Sequence, residues 1–399
     1  MKKIITLSAS VIILSISIFA QTTKRALFLG NSYTYVNNLP QLIADLAASA
    51  GDTLIFDSNT PGGYTLQGHS GNTISLDKIM LGNWDFVVLQ EQSQLPSFPI
   101  TQVQTDVFPY AHTLDSLINL FNPCGETMFY MTWGRKNGDA TNCSSWPPVC
   151  TYSGMDSLLR LRYMIMADSN NAVVSPVGAV WHYIQVHYPL IALYQGDGSH
   201  PSVAGSYAAA CCFYTSIFRK NPFLITSDYS LSATDAANIR ASVKTIVFDN
   251  LLSWHIGEYD LSANFSLVSS INNTVTFDNL SNNATSYKWN FGDGDTSTTA
   301  NPAHTYTTNG YYNVSLIAYH CCYSDTITQK INLNTTGATN DNLQDSIRLY
   351  PNPFSTVMRL SHTTNVFKNA MLTVYNSYGQ KVKQIDNLSG KTIVFHRDN

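Results

Sequence analysis

Four short apolar runs, with helical patterns between them, place the strongest constraint on how the N-terminal part of this chain folds. The runs are Ala26–Gly30, Phe86–Gln90, Thr127–Thr132 and Ala172–Val177. Strands that alternate with helices form βαβ units, in which the crossover helix makes neighbouring strands parallel. The sequence therefore predicts an α/β domain with a parallel sheet, and this pattern ends near Tyr259.

The pattern changes at Leu261, where helical periodicity gives way to short alternating runs separated by turn clusters. We expect a compact all-β module over residues 261–333 and further short strands over residues 347–399. Residues 334–346 are polar and contain Gly and Asn, which is typical of a linker. No motif recurs at a fixed period, which excludes a solenoid.

The first 20 residues have the pattern of a secretory signal peptide. Lys2 and Lys3 provide positive charge, an apolar or small run follows, and Ala20 precedes the expected cleavage site. No later stretch reaches about 18 uninterrupted apolar residues, so we expect no integral membrane segment in the mature chain. The first mature domain is then predicted over residues 21–260, and the protein is predicted to be secreted.

The charge of the chain excludes one class of partner. Charged residues are only 12% of the 399 residues, with 22 Lys and Arg against 26 Asp and Glu. Since there is no basic block, nucleic-acid binding has no electrostatic basis.

The seven cysteines are compatible with disulfides, because export leads to an oxidising compartment. Cys143 and Cys150 flank a Pro-containing loop and are the favoured pair. The odd count leaves at least one thiol unpaired within the chain. No C-x-x-C pair is present, so a structural zinc site is not expected.

A candidate nucleophile follows the first predicted strand, in Gly30-Asn31-Ser32. A glycine at this point lets the chain turn sharply as the strand ends. Ser32 would then lie at the carboxyl edge of the sheet, where α/β proteins bind their ligands. Its own N–H would face outward, available to an oxyanion.

A candidate base lies far along the chain, in Gly196-Asp197-Gly198-Ser199-His200. A serine hydroxyl is a poor nucleophile until a base removes its proton, and His200 suits that task. Asp197, three residues earlier, can reach the imidazole within one loop and fix its tautomer.

The two motifs together resemble those of the SGNH hydrolases, also called GDSL esterases, over about residues 24–254. That resemblance implies a three-layer α/β/α sandwich around a parallel sheet. It also implies a Ser-His-Asp acyl-enzyme mechanism with Ser32, His200 and Asp197 as the catalytic residues. Neither a metal nor an organic cofactor is expected.

The oxyanion hole implied by the resemblance consists of the Ser32 N–H, the Gly63 N–H and a side-chain donor. The third family block departs from the common Gly-x-Asn-Asp, because Gln90, Glu91 and Gln92 stand there. This stretch looks more like the Gln-Gly-Glu-Ser of carbohydrate acetylesterases. By that alignment Gln90 is the donor and Gln92 the reserve, with Glu91 as a structural acceptor.

Aromatic and histidine side chains near the strand ends, together with Arg135, are candidates for the pocket. The aromatic candidates for substrate binding are Tyr33, Tyr64, Trp133 and Trp181. His69 and His182 could also face the pocket, although a hydrogen-bonded structural role is favoured for each.

The predicted all-β module contains YKWNFGDGDTS over residues 287–297 and PAHTY over residues 302–306, which look like a PKD repeat. That family forms immunoglobulin-like sandwiches that serve as spacers or adhesion modules. Trp289 would fill the core, and Asp293 and Asp295 would form the turn rather than bind Ca²⁺.

The C-terminal segment contains LYPNPF and VYNSYGQ, which resemble a type IX secretion sorting domain of Bacteroidota. Such domains usually continue through another hairpin, so we expect this one to be truncated. The resemblance implies the type IX secretion machinery as a partner.

Taken together, these patterns predict a secreted serine ester hydrolase, with an acetylated glycan as the favoured substrate by motif resemblance. A lipase- or lysophospholipase-like esterase is an alternative, less favoured because no long apolar lid segment is evident. A non-catalytic surface adhesion protein is another, although the presence of all three catalytic residues argues against it.

Overall fold

The computed structural model describes residues 21–271, 273–321, 323–333, 347–350, 357–362, 367–375, 381–390 and 392–396. The expected signal peptide and linker lie outside the described residues. The chain divides into two compact units, Met1–Asp260 and Leu261–Asn399.

The first unit is built on a five-stranded parallel sheet with the order β2-β1-β3-β4-β5. The fold class predicted from the apolar runs is therefore confirmed. The strands are β1 (Thr23–Leu29), β2 (Thr53–Asn59), β3 (Phe86–Leu89), β4 (Glu126–Tyr130) and β5 (Val173–Ser175).

The strand β2 was absent from the sequence-based description, and its place in the sheet explains why. It lies at the edge of the sheet, paired only with β1, and Leu54 is its one buried residue. Such a strand lacks the continuous apolar run of a strand buried on both faces.

Helices flank the sheet in two groups. One group contains α2, α8, α9 and α10, which contact one another, and the other has α6 in contact with α3, α4, α5 and α7. The helices are α1 (Ser32–Tyr35), α2 (Leu39–Ser49), α3 (Leu66–Ser70), α4 (Thr73–Met80), α5 (Ile100–Asp106), α6 (Phe108–Phe121), α7 (Tyr152–Asn170), α8 (Val177–His187), α9 (Val203–Phe218) and α10 (Ala233–Ile246). Short 3₁₀ helices cover Val36–Asn38, Leu95–Ser97, Pro147–Cys150, Pro222–Leu224 and Phe248–Trp254.

The core lies between these helices and the sheet. The helix α9 is buried from Gly205 to Phe218, and Phe213 on it packs edge-on against Phe28 of β1 at 5.7 Å between ring centroids. The start of α9 is fixed by Ser202, whose hydroxyl accepts from the Gly205 N–H. Because His200 lies just before this helix, the packing of α9 holds it at the carboxyl edge of the sheet.

The second unit begins with two antiparallel sheets that share one core. The sheets are β10-β7-β6 and β12-β11-β8-β9. Phe265 and Phe277 from the first sheet pack against Trp289 of the second, which is fully buried, as predicted. The strands are β6 (Phe265–Ile271), β7 (Thr274–Asn279), β8 (Ser286–Asn290), β9 (Thr296–Ser297), β10 (Ala303–Thr305), β11 (Gly310–His320) and β12 (Tyr323–Leu333).

Further strands follow in the C-terminal segment, in the antiparallel sheets β13-β14-β17 and β15-β16. They are β13 (Ile347–Tyr350), β14 (Val357–His362), β15 (Phe367–Tyr375), β16 (Lys381–Gly390) and β17 (Thr392–His396). Much of the predicted sorting motif, at residues 351–354 and 376–380, lies outside the described residues.

The predicted disulfide between Cys143 and Cys150 is confirmed, with 4.6 Å between the two Cα atoms. Cys211 and Cys212 are buried free thiols, and Cys321 is an exposed one. Where the chain is described, none of its helices is both long and apolar enough to cross a membrane.

Candidate active site

The turn after β1 presents Ser32 at the carboxyl edge of the sheet. Gly30 is required here because a Cβ would lie 2.5 Å from Thr34 Oγ1 and 2.7 Å from Gln90 Oε1. The Asn31 N–H donates to Gln90 Oε1 at 2.9 Å, and the Asn31 side chain caps α1 by accepting from the Tyr33 N–H. Ser32 then begins α1, directly after a turn that the Gln90 side chain stabilises.

The structure brings Ser32, His200 and Asp197 together across 168 positions of sequence. Ser32 Oγ lies 2.9 Å from His200 Nε2, and His200 Nδ1 lies 2.5 Å from Asp197 Oδ2. Asp197 Oδ1 also accepts from the N–H groups of Ser199 and His200, at 2.9 and 3.0 Å. This arrangement connects a hydroxyl, an imidazole and a carboxylate in series.

The electrostatics of Asp197 suit it to hold the imidazole. Burial acts to raise the pKa of its carboxyl, but hydrogen bonds from His200 and Ser199 outweigh burial and lower the pKa to about 2. The carboxylate is therefore ionised at neutral pH and accepts from Nδ1–H of His200. That tautomer leaves Nε2 as the acceptor for the Ser32 hydroxyl proton.

The two backbone N–H groups expected to donate to an oxyanion are those of Ser32 and Gly63. Within the described residues, the N–H groups of Ser32 and Gly63 donate to no acceptor. Gly63 is exposed with φ at 68°, and its loop is joined to the Gly30–Ser32 turn because Asn31 Nδ2 donates to the Tyr64 carbonyl at 2.8 Å. Asn31 lies within the Gly-Asn-Ser motif, but its role in joining the two loops was not predicted from the sequence.

The position of Gln90 differs from the expected oxyanion donor. Its side chain is fully buried, its Oε1 accepts from the Asn31 N–H and the Thr34 hydroxyl, and its Nε2 donates to the Glu91 carbonyl. A fully buried amide offers no atom to a substrate, so Gln90 supports the turn beneath Ser32. Gln92 is partly exposed, and its Nε2 donates to Gln94 Oε1 at 3.0 Å.

Glu91 is a buried acceptor between two loops. Oε1 accepts from the Gln92 N–H at 2.5 Å and Oε2 from the Leu66 N–H at 3.2 Å. Burial raises the pKa of its carboxyl to about 8, against the effect of these two hydrogen bonds. Glu91 therefore links the end of β3 to the start of α3.

His69 is a structural histidine that contacts the turn before Ser32. Its Nε2 lies 2.9 Å from the Gly30 carbonyl oxygen, and its Nδ1 lies 2.8 Å from Ser75 Oγ. Burial lowers the pKa of His69 from 6.5 to about 4. The neutral ring donates from Nε2 to Gly30 and accepts from Ser75.

We expect the contribution of buried His69 to the free energy of unfolding to fall in acid. Between pH 6.5 and about 4 the unfolded chain binds a proton at His69 that the folded chain does not. Stability from this group is therefore present above pH 6.5 and falls as the pH falls, by about 2 kcal/mol between pH 7.5 and pH 5. Urea unfolding of the protein and of His69→Gln at both pH values isolates this contribution, because buried Glu91, with its pKa raised to about 8, changes stability in the opposite direction over the same range.

His69→Gln is expected to show a pH-dependent loss smaller by that amount, because the titrating ring is gone. His187→Gln removes an exposed ring and serves as the matched control. An unchanged pH dependence in His69→Gln would exclude His69 as its source.

The aromatic candidates are mostly buried, which differs from the expected substrate contact. Tyr33 is 2% exposed, and Trp133 and Trp181 are 0% exposed. Their rings stack in series, with centroids 4.8 Å apart for Tyr33 and Trp133 and 3.7 Å apart for Trp133 and Trp181. Trp133 Nε1 donates to the Ser199 carbonyl at 3.1 Å, so the stack positions the His200 loop. Among the four candidates, only Tyr64 is partly exposed.

His182 lines a separate cavity of about 490 Å³ between α7, α8 and the segment after α10. Its Nδ1 lies 3.1 Å from Asp156 Oδ2, which fits the favoured structural role. Neither Ser32 nor His200 lines this cavity.

One group of side chains in the second unit has donors close enough for a metal ion. Side-chain ligand atoms of Asp293, Asp295 and His304 lie within 4.8 Å of one another. Asp293 is already engaged, since its Oδ1 accepts from the Asp295 N–H and its Oδ2 lies 2.7 Å from His304 Nε2. These contacts fit the turn-forming role expected from the sequence.

Part of the second unit matches a known domain family in sequence. Residues 261–334 match the PKD domain. The PKD domain begins with the first residue of the second unit and contains both antiparallel sheets of β6–β12. It is similar to the PKD1 domain of the Vibrio cholerae metalloprotease PrtV at 38% identity, with 19% of this chain and 98% of that chain covered and a TM-score of 0.18.

Other solved structures are similar to a larger part of the chain. A DUF4886 family protein from Bacteroides uniformis is 16% identical, with 58% of this chain and 95% of that chain covered and a TM-score of 0.49. A protein from Slackia heliotrinireducens, described as a proposed SGNH hydrolase, is 26% identical, with 48% and 97% covered and a TM-score of 0.40. No curated protein matches the chain in sequence.

Proposed function

We propose that the first unit is a serine ester hydrolase. The observation that carries this proposal is the hydrogen-bonded series from Ser32 Oγ through His200 to Asp197, at 2.9 and 2.5 Å. A serine hydroxyl within 3 Å of an imidazole that is oriented by a carboxylate can be deprotonated as it attacks.

The proposed reaction has two stages. Ser32 Oγ attacks the ester carbonyl while His200 Nε2 takes its proton, and the same nitrogen then protonates the leaving alcohol. A water molecule, deprotonated by His200, next releases the acid from the acyl-enzyme. The Ser32 and Gly63 N–H groups would stabilise the oxyanion in both stages.

We propose Gln92 as the third oxyanion donor. Its amide is partly exposed, in contrast to that of Gln90. A glutamine amide has two N–H bonds, and Gln94 Oε1 accepts one of them from Gln92. The second is then available to the substrate.

The proposed substrate class is an O-acetyl ester of a carbohydrate. The support is the resemblance of the stretch after β3 to that of carbohydrate acetylesterases. The PKD domain is in keeping with export, and we propose a secreted or cell-surface location. Recognition of the C-terminal strands by type IX secretion machinery is proposed on sequence resemblance alone.

Acetate release tests the proposed specificity. We expect the protein to release acetate from acetylated xylan, and to cleave 4-nitrophenyl acetate with a kcat/KM at least about tenfold above that for 4-nitrophenyl octanoate. The same preparation incubated with deacetylated xylan is the control. A preference for octanoate, with no acetate released from xylan, would favour a lipase-like enzyme instead.

A further inference from the structure

Two positively charged side chains, those of Arg135 and Lys136, lie in a segment next to the His200 loop. The segment after β4 runs along the Asp197–His200 loop, where the Lys136 N–H donates to the Gly198 carbonyl at 2.8 Å. Arg135 immediately precedes Lys136 and is partly buried, with 26% of its side chain exposed.

The guanidinium of Arg135 has few partners. Its Nη1 lies 3.5 Å from Asp139 Oδ1, at the limit of a hydrogen bond, and its buried Nε has no partner among the described residues. Asp139 is itself well satisfied, since its Oδ2 accepts from Gln94 at 2.6 Å and from Asn142 at 2.7 Å. Asp139 therefore orients the guanidinium, which also hydrogen-bonds the Tyr33 hydroxyl, and the donors that these two groups do not use have no partner among the described residues.

The guanidinium of Arg135 also lies close to the Tyr33 hydroxyl, which contacts the His200 loop. The Tyr33 hydroxyl lies 2.6 Å from Ser199 Oγ, and its ring contacts that of His200 at 5.5 Å between centroids. Burial raises the pKa of this hydroxyl, while Ser199, Ser93 and Arg135 act in the opposite direction. Arg135 is therefore close to the hydroxyl that adjoins the catalytic loop.

In the part of the chain that the structure describes, Asp139 is the only carboxylate that forms an ion pair with Arg135. Asp197 is engaged with His200, and Asp139 makes one long contact with Arg135. Lys136 is exposed and adds a second positive charge. A partly desolvated guanidinium with donors that Asp139 and Tyr33 do not use, next to a reaction site, favours an anionic ligand.

We propose that Arg135, with Lys136 beside it, binds a carboxylate of the substrate next to the ester that Ser32 attacks. The planar fork of a guanidinium matches a carboxylate in a bidentate geometry. This inference rests on the proposed function and narrows its substrate class to esters of acidic molecules, such as acetylated acidic sugars.

Binding to the full-length Ser32→Ala variant tests the proposal without requiring turnover. The ligands are 4-acetoxybenzoate and the neutral 4-acetoxybenzamide, for a carboxylate on the alcohol side, and mono-4-nitrophenyl succinate and 4-nitrophenyl butyrate, for one on the acyl side. We expect the carboxylate to bind at least about tenfold more tightly in one pair, as a bidentate charged contact allows.

Adding Arg135→Gln to this protein is expected to remove the preference, and Arg135→Lys to restore part of it. Arg160→Gln makes the same charge change on α7, where Arg160 lies over Trp254, and should leave the preference intact. If Arg135→Gln does not fold, the loss of the preference at high ionic strength in Ser32→Ala alone tests the electrostatic origin.

Equal binding of the charged and neutral ligands in both pairs, or a preference that survives Arg135→Gln, would overturn the proposal. Fluorophosphonate labelling of Ser32 in the otherwise unaltered protein tests the proposed function separately. If Ser32 is labelled but the charged and neutral ligands bind equally, the carboxylate site is rejected and the proposed hydrolase function is retained.

Discussion

Replacing Ser32 with Ala is expected to abolish ester cleavage and covalent labelling by a fluorophosphonate. The hydroxyl is the atom that lies 2.9 Å from His200 Nε2, and no other group can form the acyl-enzyme in its place. Loss of the nucleophile in a triad lowers kcat by on the order of 10⁴-fold or more. Initial rates with 4-nitrophenyl acetate and gel detection of the labelled protein measure both effects.

A matched control for this variant is Ser199→Ala, which removes a hydroxyl from the Asp197–His200 loop. Ser199 Oγ contacts the Tyr33 hydroxyl at 2.6 Å rather than His200, so the label should still be incorporated. Strong labelling of a folded Ser32→Ala protein would remove Ser32 from the mechanism.

The second large effect is expected from a comparison of Gln90→Ala with Gln92→Ala. Gln90→Ala leaves the Asn31 N–H and the Glu91 carbonyl buried without their partner, at a cost of about 1–3 kcal/mol for each group. The Gln90 variant should therefore lose most in the free energy of unfolding. Gln92→Ala should retain most of its stability and lose kcat by about 10²-fold, the typical effect of removing one oxyanion donor.

Melting temperature and kcat, measured on both variants, separate the two roles. Gln92→Glu keeps the oxygen that accepts from the Gln94 and Leu95 N–H groups, but it replaces the donor with a negative charge that also opposes the oxyanion, so its loss of kcat should exceed that of Gln92→Ala. A large loss of kcat in a stable Gln90→Ala protein, with Gln92→Ala unaffected, would restore the alignment predicted from sequence.

The sequence determined the parallel sheet and the separation into α/β and all-β parts. Strands buried on both faces require continuous apolar runs such as Ala26–Gly30 and Phe86–Gln90, and this requirement is visible without any contact information. The edge strand β2 was not predicted because it is buried at only one residue, so its composition does not differ from that of a surface segment.

The sequence also placed the components of the triad, for a local reason. Asp197 and His200 are three residues apart in one loop, so their contact needs only a turn of the chain. Ser32 follows a glycine at a strand end, which predicts the edge of the sheet. Their meeting at 2.9 Å depended on the parallel topology, which carries β1 and the start of α9 to the same edge.

Only the tertiary structure decided which polar and aromatic side chains turn inward. Gln90 and Gln92 stand two residues apart and are chemically identical, yet one is fully buried and the other partly exposed. Trp133 and Trp181 are residues that can stack on sugar rings, but here they stack on each other within the core. Arg135 was among the candidates for the pocket, but its role could not be predicted, because its remaining donors become apparent only once Asp139 is seen to be satisfied by Gln94 and other amides. The direction and partners of a side chain depend on which elements pack around it, and this information is distributed over the whole fold.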